Sequence, residues 1–252
     1  MTLILKANQA MTAPLAETPR LPDIATALSY DFNPDLLRAS IANGAAVPSI
    51  SSTGSQALTL NNKIPELSFP TLTHAGPNGK AALTFAGNHM ITVTDGGATT
   101  FEYGTDSTIA LVVRANSYTD TQRILGVSLN DGFRYISPFA GGLRANGSDT
   151  QGTDGGGSLT GPAASGAWHV VIAAIGGPNR SLFKIDGAAP AAGNIARGRF
   201  RGLRLGHTGG DVVNAASAFN GDIARVQIFR RLLSAADMDG LAYELMTTYG
   251  IA

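Results

Sequence analysis

The chain has 252 residues, with 18 basic and 18 acidic side chains and no cysteine, which is enough for one large β domain or two small ones. Its formal net charge of +0 gives no electrostatic reason to expect nucleic acid or an anionic membrane as a partner. The lack of cysteine excludes disulfides and Cys-ligated metals, and the lack of an apolar run of about 18 residues excludes insertion of a helix into a membrane.

Residues 1–27 differ in composition from the rest of the chain. Leu3, Ile4 and Leu5 form an apolar start without the basic residues of a secretory signal, and prolines without any periodicity follow, which suits an extended segment. A disordered tail is the alternative, but consecutive apolar residues are unusual in a solvated tail. We therefore predict an extended N-terminal arm that anchors the protein in an assembly through these three residues, followed by one domain over 28–252.

From residue 28 onward, short alternating or apolar runs between turn residues predict β-strands. The run 108–114 is the most apolar and predicts a central strand. The segment 146–167, rich in glycine, predicts a long loop. The predicted strands are residues 28–32, 82–87, 90–93, 108–114, 123–129, 133–137, 142–145, 168–175, 181–185, 200–206 and 224–228.

The last part of the sequence predicts a strand followed by an amphipathic helix. Ala224, Val226 and Ile228 alternate with other residues, which predicts one shared buried face. Ser234 is a suitable N-cap, and Asp237 follows at capping-box spacing. We expect the apolar stripe of the helix to pack on a sheet edge or on a partner chain. Helical spacing relates the apolar residues Met238, Leu241, Ala242, Leu245, Met246 and Tyr249.

Short strands with one terminal helix predict an all-β protein with two antiparallel sheets. Five segments occur in an order that resembles the laminin G-like, concanavalin A-like family of jelly-roll domains, and the resemblance covers roughly 28–252. It implies a two-sheet jelly-roll sandwich with a short C-terminal helix beside the extended arm, and it says little about activity. The five segments are Leu83–Gly87, Trp168–Val171, Lys184–Gly187, Leu203–Gly206 and Phe219–Ser234.

The part between residues 43 and 85 resembles the version of this domain found in bacteriophage and bacterial surface proteins. Together with the arm, this resemblance implies a phage virion protein, either a capsid decoration or a fibre or tail appendage. Its expected localisation is the virion. Its expected partners are further copies of itself as a homo-oligomer, other virion proteins such as capsid or tail, and host-surface glycans. The alternatives are a stand-alone carbohydrate-binding adhesin and a polysaccharide hydrolase or lyase.

We do not expect enzymatic activity from this sequence. Glycoside hydrolases use two carboxyl groups that flank the scissile bond, about 5 Å apart in retaining enzymes, and the glutamates here are too scattered to share a strand. His169 and His207, which a lyase would need, lack any informative spacing, so we interpret His169 as structural and His207 as an exposed turn residue. We therefore predict no catalytic residue. The glutamates are Glu17, Glu66, Glu102 and Glu244.

Two kinds of binding residue can be suggested. Glycan binding by ring stacking requires exposed aromatic side chains, and Tyr103, Tyr118 and Phe139 lie in predicted loops or at strand ends. Related lectin-like domains often bind calcium through oxygen ligands, and Asp149 and Asp154 in the glycine-rich segment are the candidate ligands. The alternative for these two is a turn-forming role. Calcium aside, we predict no cofactor.

Overall fold

The computed structural model describes residues 22–61, 68–87, 91–93, 99–101, 104–119, 121–126, 133–149, 154–198, 200–201, 203–207 and 218–252. These residues form two packed antiparallel β-sheets, and a 15-residue C-terminal helix covers the outer face of one of them. The predicted fold class, an all-β two-sheet jelly-roll sandwich with a short C-terminal helix, is therefore confirmed.

The first sheet has β18 (Asn220–Phe229) near its centre. One edge of β18 pairs with β8 (Ser107–Ala115), and the other edge is shared between β5 (Ala82–Ala86) and β1 (Leu28–Phe32). In spatial order, its described strands are β15 (Ala191–Ile195), β14 (Gly177–Ile185), β13 (Trp168–Ile175), β8 (Ser107–Ala115), β18 (Asn220–Phe229), β5 (Ala82–Ala86) and β4 (Thr71–Thr73), with β1 (Leu28–Phe32) beside β18.

The second sheet faces the first across the core. A separate two-stranded pair is formed by β7 (Thr99–Phe101) and β16 (Phe200–Arg201), and short 3-10 helices cover Pro34–Leu37 and Pro77–Gly79. In spatial order, the described strands of the second sheet are β12 (Gly156–Pro162), β11 (Gly142–Ser148), β10 (Phe133–Phe139), β9 (Leu125–Gly126), β17 (Arg204–Leu205), β6 (Ile91–Val93), β3 (Thr59–Asn61) and β2 (Ser49–Ser51).

The central strand β8 is buried on both faces. Leu111 and Val113 point into the inner core between the sheets, whereas Ala110 and Val112 belong to an outer apolar cluster. Burial on both sides explains why this strand is continuously apolar in the sequence instead of alternating. Each large apolar side chain that is fully buried stabilises the fold by about 1.5–3 kcal/mol.

The outer cluster lies between the first sheet and helix α2 (Ala235–Tyr249). The helix begins at the predicted capping box: Asp237 N donates to Ser234 Oγ, and Ser234 N donates to Asp237 Oδ2, both at 3.1 Å. The apolar stripe, including Leu241 and Leu245, packs on the face of the sheet and not on its edge. Among the helices of the described chain, none is long and apolar enough to span a membrane.

The prediction that Ala224, Val226 and Ile228 share one face is wrong for Ala224. A bulge between Ile223 and Arg225 shifts the register of β18 against β8, so Val226 and Ile228 point into the inner core while Ala224 points to α2. A bulge inserts one extra residue and reverses the alternation of side chains beyond it. The two faces of β18 therefore serve both apolar clusters.

The prediction of one long loop over 146–167 is also wrong, because this stretch contains β12, which pairs with β11. Its glycines allow close packing instead of turns. A Cβ atom on Gly157 would lie 2.4 Å from the carbonyl oxygen of Asn194, and a Cβ atom on Gly161 would lie 2.9 Å from Cδ1 of Ile185. The strand can lie this close to β14 and β15 only because these positions have no side chain.

The described chain starts within the predicted arm. A short helix, α1 (Pro22–Ala25), precedes β1, and Ile24 is buried in the outer cluster. The segment from residue 22 onward therefore packs with the sandwich. The apolar residues Leu3, Ile4 and Leu5 lie outside the described residues, and the anchoring role of residues 1–21 stays a prediction.

Candidate ligand-binding face

The two outer faces of the sandwich have different chemistry. The outer face of the first sheet is covered by α2, whereas strands β10, β11 and β12 of the second sheet carry polar and aromatic side chains on their outer side. Successive side chains in a strand point to opposite faces. Because Ile136, Leu143 and Ala145 belong to the inner core, their neighbours Tyr135 and Arg144 point outward.

The register of these three strands aligns the outward residues in rows. Tyr135 pairs with Asn146, which pairs with Ser158, and Ser137 pairs with Arg144, which pairs with Thr160. A third row runs through Phe139 and Gly142 to the exposed Pro162. We call this surface the Tyr135 face; its residues are Tyr135, Ser137, Phe139, Arg144, Asn146, Ser158, Thr160 and Pro162.

Two guanidinium groups lie close to the ring of Tyr135. The Cζ atom of Arg123 is 4.3 Å from the ring centroid, and that of Arg144 is 5.9 Å from it. Arg123 is also held by a hydrogen bond from its side chain to the carbonyl oxygen of Gln122, at 2.8 Å. Cation–π contacts of this kind are worth about 0.5–1 kcal/mol each at exposed sites. They hold an aromatic ring and two cations together on the surface.

Arg144 is the least satisfied side chain of this face. It is partly exposed, but its Nε atom is buried and has no hydrogen-bond partner among the described residues. The Oγ atom of Ser137, its neighbour in the ladder, is likewise buried without a partner within the described chain. Buried polar groups in proteins are usually hydrogen-bonded, so these two atoms are exceptions on this face.

The structure does not bring the predicted glycan-binding residues together. Phe139 lies on the Tyr135 face, four residues along β10 from Tyr135 and so about 14 Å away. Tyr118 follows β8 in the other sheet and packs against the inner core. Burial raises the pKa of the Tyr118 hydroxyl to about 12, and this hydroxyl has no partner among the described residues. Tyr103 lies outside the described residues.

The predicted calcium ligands, Asp149 and Asp154, do lie together and are both buried. Asp149 Oδ2 accepts a hydrogen bond from the backbone nitrogen of Asp154 at 3.1 Å. Both carboxylate oxygens of Asp154 are bound by Arg197, at 2.8 Å and 3.0 Å. These hydrogen bonds lower the pKa of the Asp154 carboxyl group. A cation at this position would have to displace a bidentate ion pair.

Arg134 extends this charged cluster into the interior. Its side chain is fully buried and donates to Ser107 Oγ at 2.6 Å and to the carbonyl oxygen of Thr105 at 2.8 Å. Burial, together with the nearby charge of Arg197, lowers the pKa of its guanidinium to about 9. Arg134 therefore joins β10 to the start of β8 across the sandwich, which is a structural role.

The prediction for one histidine is confirmed, and the prediction for another is wrong. His169 is structural as predicted, because Nδ1 is 2.7 Å from Asp186 Oδ2 and Nε2 is 3.0 Å from the carbonyl oxygen of Ala164. His207 is 1% exposed, so its interpretation as an exposed turn residue is wrong. No group of three or more His, Asp or Glu side chains in the described parts of the chain could hold a metal ion.

A family model identifies the fold at the level of sequence. The model described as the concanavalin A-like lectin/glucanases superfamily matches residues 85–238. The chain belongs to this superfamily. The match runs from β5 into α2, so it contains the Tyr135 face and part of each apolar cluster. No curated protein sequence matches this chain.

Solved structures share the lectin-like fold at low sequence identity. The binding domain of Paraclostridial mosquitocidal protein 1 aligns with a TM-score of 0.59 and 12% identity, over 88% of this chain and 53% of that one. Domain 4 of the arabinanase AbnA from Geobacillus stearothermophilus, solved with arabinotriose, aligns with a TM-score of 0.59 and 14% identity, over 85% of this chain and 98% of that domain.

The receptor-binding domain of botulinum neurotoxin D aligns with a TM-score of 0.58 and 10% identity, over 88% of this chain and 54% of that one. The chain described here therefore covers about half the length of the mosquitocidal-protein and neurotoxin fragments and nearly all of the arabinanase domain. Identities this low establish a shared fold, and they do not show that these proteins bind the same ligand.

The two central residues of the Tyr135 face, Tyr135 and Arg144, are not among the binding residues predicted from the sequence. The sequence signal that indicates them is the alternation of inward and outward side chains in 133–139 and 142–148, two runs that a two-residue turn joins. A tight hairpin fixes which residues are opposite each other, and it places Tyr135 and Arg144 on the polar side.

Proposed function

We propose that the chain is a non-enzymatic glycan-binding domain of a bacteriophage virion protein and that it attaches to glycans on the host surface. The observation that carries the proposal is the Tyr135 face, where an aromatic ring, an arginine, hydroxyl groups and an amide share the outer side of one sheet. The arabinotriose-bound domain of AbnA has the same fold, which supports a saccharide as the ligand class.

Binding is favoured over catalysis by the chemistry of this face. Ring surfaces and hydroxyl, amide and guanidinium groups can hold a saccharide, but they do not supply the pair of carboxyl groups that glycoside hydrolysis requires. The Tyr135 face contains no carboxylate among the described residues. Glu244, the one glutamate in the described chain, is exposed on α2, on the far side of the sandwich.

The virion location is supported by the predicted N-terminal arm and by the resemblance of residues 43–85 to phage and bacterial surface proteins. A domain that is held in a particle by one end can present a loop or sheet surface outward. Binding by many copies then raises the overall avidity well above the affinity of one site. Weak binding by one domain is therefore compatible with firm attachment.

The test of glycan binding compares two tyrosine variants on a glycan array. Tyr135→Ala removes the ring of the Tyr135 face, and Tyr243→Ala removes a ring that is 67% exposed on α2. We expect the full chain and Tyr243→Ala to bind the same glycans and Tyr135→Ala to bind them at least about 5-fold more weakly, since a ring contact contributes about 1 kcal/mol or more. Equal binding by both variants, or no binding by the full chain, would contradict the proposal.

A further inference from the structure

We propose that the Tyr135 face is specific for acidic saccharides and that Arg144 pairs with a carboxylate of the sugar. This inference rests on the proposed glycan-binding function and adds the charge of the ligand to it. It also assigns separate roles to two neighbouring residues, a ring contact to Tyr135 and an ionic contact to Arg144.

The first argument is that Arg144 differs in its pairing from six other arginines of the described chain. These six are paired with aspartates, whereas Arg144 makes no ion pair within the described chain. Its neighbours in the ladder, Ser137 and Thr160, carry hydroxyl groups and no charge. The paired arginines include Arg38 with Asp35, Arg114 with Asp222, Arg180 with Asp106, Arg197 with Asp154, Arg225 with Asp31 and Arg231 with Asp237.

The second argument is the environment of the Arg144 guanidinium. The residue is partly exposed, but its Nε atom is buried without a hydrogen-bond acceptor among the described residues, so the terminal nitrogens are the donors that a ligand can reach. A guanidinium presents its donors as a planar fork that matches the two oxygens of a carboxylate. A neutral sugar would leave a partly buried cation without an anion, which is unfavourable.

The third argument is the arrangement of groups around Arg144. The ring of Tyr135 lies against its guanidinium, which restricts the orientation of the fork before a ligand arrives. Ser158 and Thr160 are exposed on the adjacent strand and can hydrogen-bond to sugar hydroxyls. One saccharide unit can therefore contact a ring, a cation and hydroxyl groups on three neighbouring strands.

The test uses the full chain and a panel of uronic-acid- and sialic-acid-containing oligosaccharides. Each is paired with its carboxyl-reduced or desialylated counterpart, and sulfated neutral oligosaccharides form a third group. We expect carboxylated sugars to bind at least about 10-fold more tightly than their neutral counterparts, with affinity that falls as salt is added. Arg144→Gln should bind both members of a pair equally.

The control variant is Arg180→Gln, which removes a surface arginine outside the Tyr135 face and should keep the preference for carboxylated sugars. Thermal melting of Arg144→Gln and Arg180→Gln shows whether each remains folded. If Arg144→Gln is unfolded, the comparison of carboxylated with neutral sugars on the wild-type chain tests the specificity for acidic saccharides by itself.

Three results overturn the inference. Equal binding of carboxylated and neutral sugars by the wild-type chain would refute it while leaving glycan binding in place. Tighter binding of sulfated sugars would refute the assignment of a carboxylate. No binding of any saccharide would refute both this inference and the proposed function.

Discussion

Individual charged residues in this protein stabilise the sandwich by pairing between strands. Arg225 binds Asp31 at 2.6 Å and joins β18 to β1, and Arg114 binds Asp222 at 2.8 Å and joins β8 to β18. Both aspartates are buried. Removing one partner of a buried ion pair usually costs about 3–5 kcal/mol, because the other charge is left without compensation. Such pairs fix which strands are neighbours.

The pair formed by His169 and Asp186 makes stability depend on pH. The hydrogen bond to Asp186 raises the pKa of His169, so the folded protein binds the proton more tightly than the unfolded chain does. The stabilisation is complete below the unfolded pKa of about 6.5 and is lost as the pH rises through the folded pKa. We expect the free energy of unfolding, measured in urea, to fall across this interval.

Asp186→Asn is the matched variant for this effect. Asp186 has a φ of +50°, a conformation that asparagine also tolerates, and asparagine keeps an oxygen for the backbone nitrogen of Val170. In this variant the free energy of unfolding should no longer fall as the pH rises above about 6.5. An unchanged slope would show that His169 is not the responsible group.

At the residue scale, the alternation of apolar and polar residues predicts which side chains are in the core. It predicts far less well which residues form the candidate binding face. Ile136 and Leu143 could be assigned to the core from their neighbours alone. The pairing of Asp154 with Arg197 could not, because these residues are 43 positions apart and an ion pair leaves no periodic signal. The importance of Arg144 also depends on which residues are opposite it, and this is known only once the register of β10, β11 and β12 is fixed.

Helix α2 is an integral part of the fold. Leu245 is 4% exposed and packs in the outer cluster, whereas Tyr243, two residues earlier, is 67% exposed. The helix therefore buries its apolar stripe within its own chain and does not need a partner for that purpose.

Two substitutions on this helix should differ strongly in effect. Leu245→Ala removes buried apolar atoms and leaves a cavity, so it should lower the free energy of unfolding by about 2–5 kcal/mol. Tyr243→Ala is a surface change and should stay within about 0.5 kcal/mol of the wild type. Chemical denaturation measures both, and a small effect of Leu245→Ala would mean that α2 is loosely attached to the sheet.

Elements that follow a local period were predicted, and elements that depend on distant packing were not. The strand Trp168–Ile175 and the capping box of α2 follow from short-range patterns. The bulge in β18 and the strand β12 do not, because both depend on neighbours that are far away in the sequence. In β12, glycines that usually indicate a loop are needed for contact with Asn194 and Ile185.

At the scale of the whole molecule, assembly should depend on residues 1–21. Light scattering on the full chain and on a chain that starts at Pro22 tests this prediction, and the structure selects the starting point because Ile24 is buried in the outer cluster. We expect the full chain to form oligomers through its apolar N-terminal residues and the shortened chain to be a monomer with the same melting temperature. Equal masses in solution would contradict an anchoring role for the arm.

The central position of β18 in the first sheet has a consequence for synthesis. Ribosomes make β1, β5 and β8 first, yet each of these strands needs β18 as a neighbour. The pairing of β8 with β18 joins residues more than 100 positions apart, such as Val113 and Ile223. A nascent chain cannot close the sheet before residue 229 has left the exit tunnel. The first sheet should therefore form only after β18 has been made, and chains that terminate before β18 should be degraded by proteases.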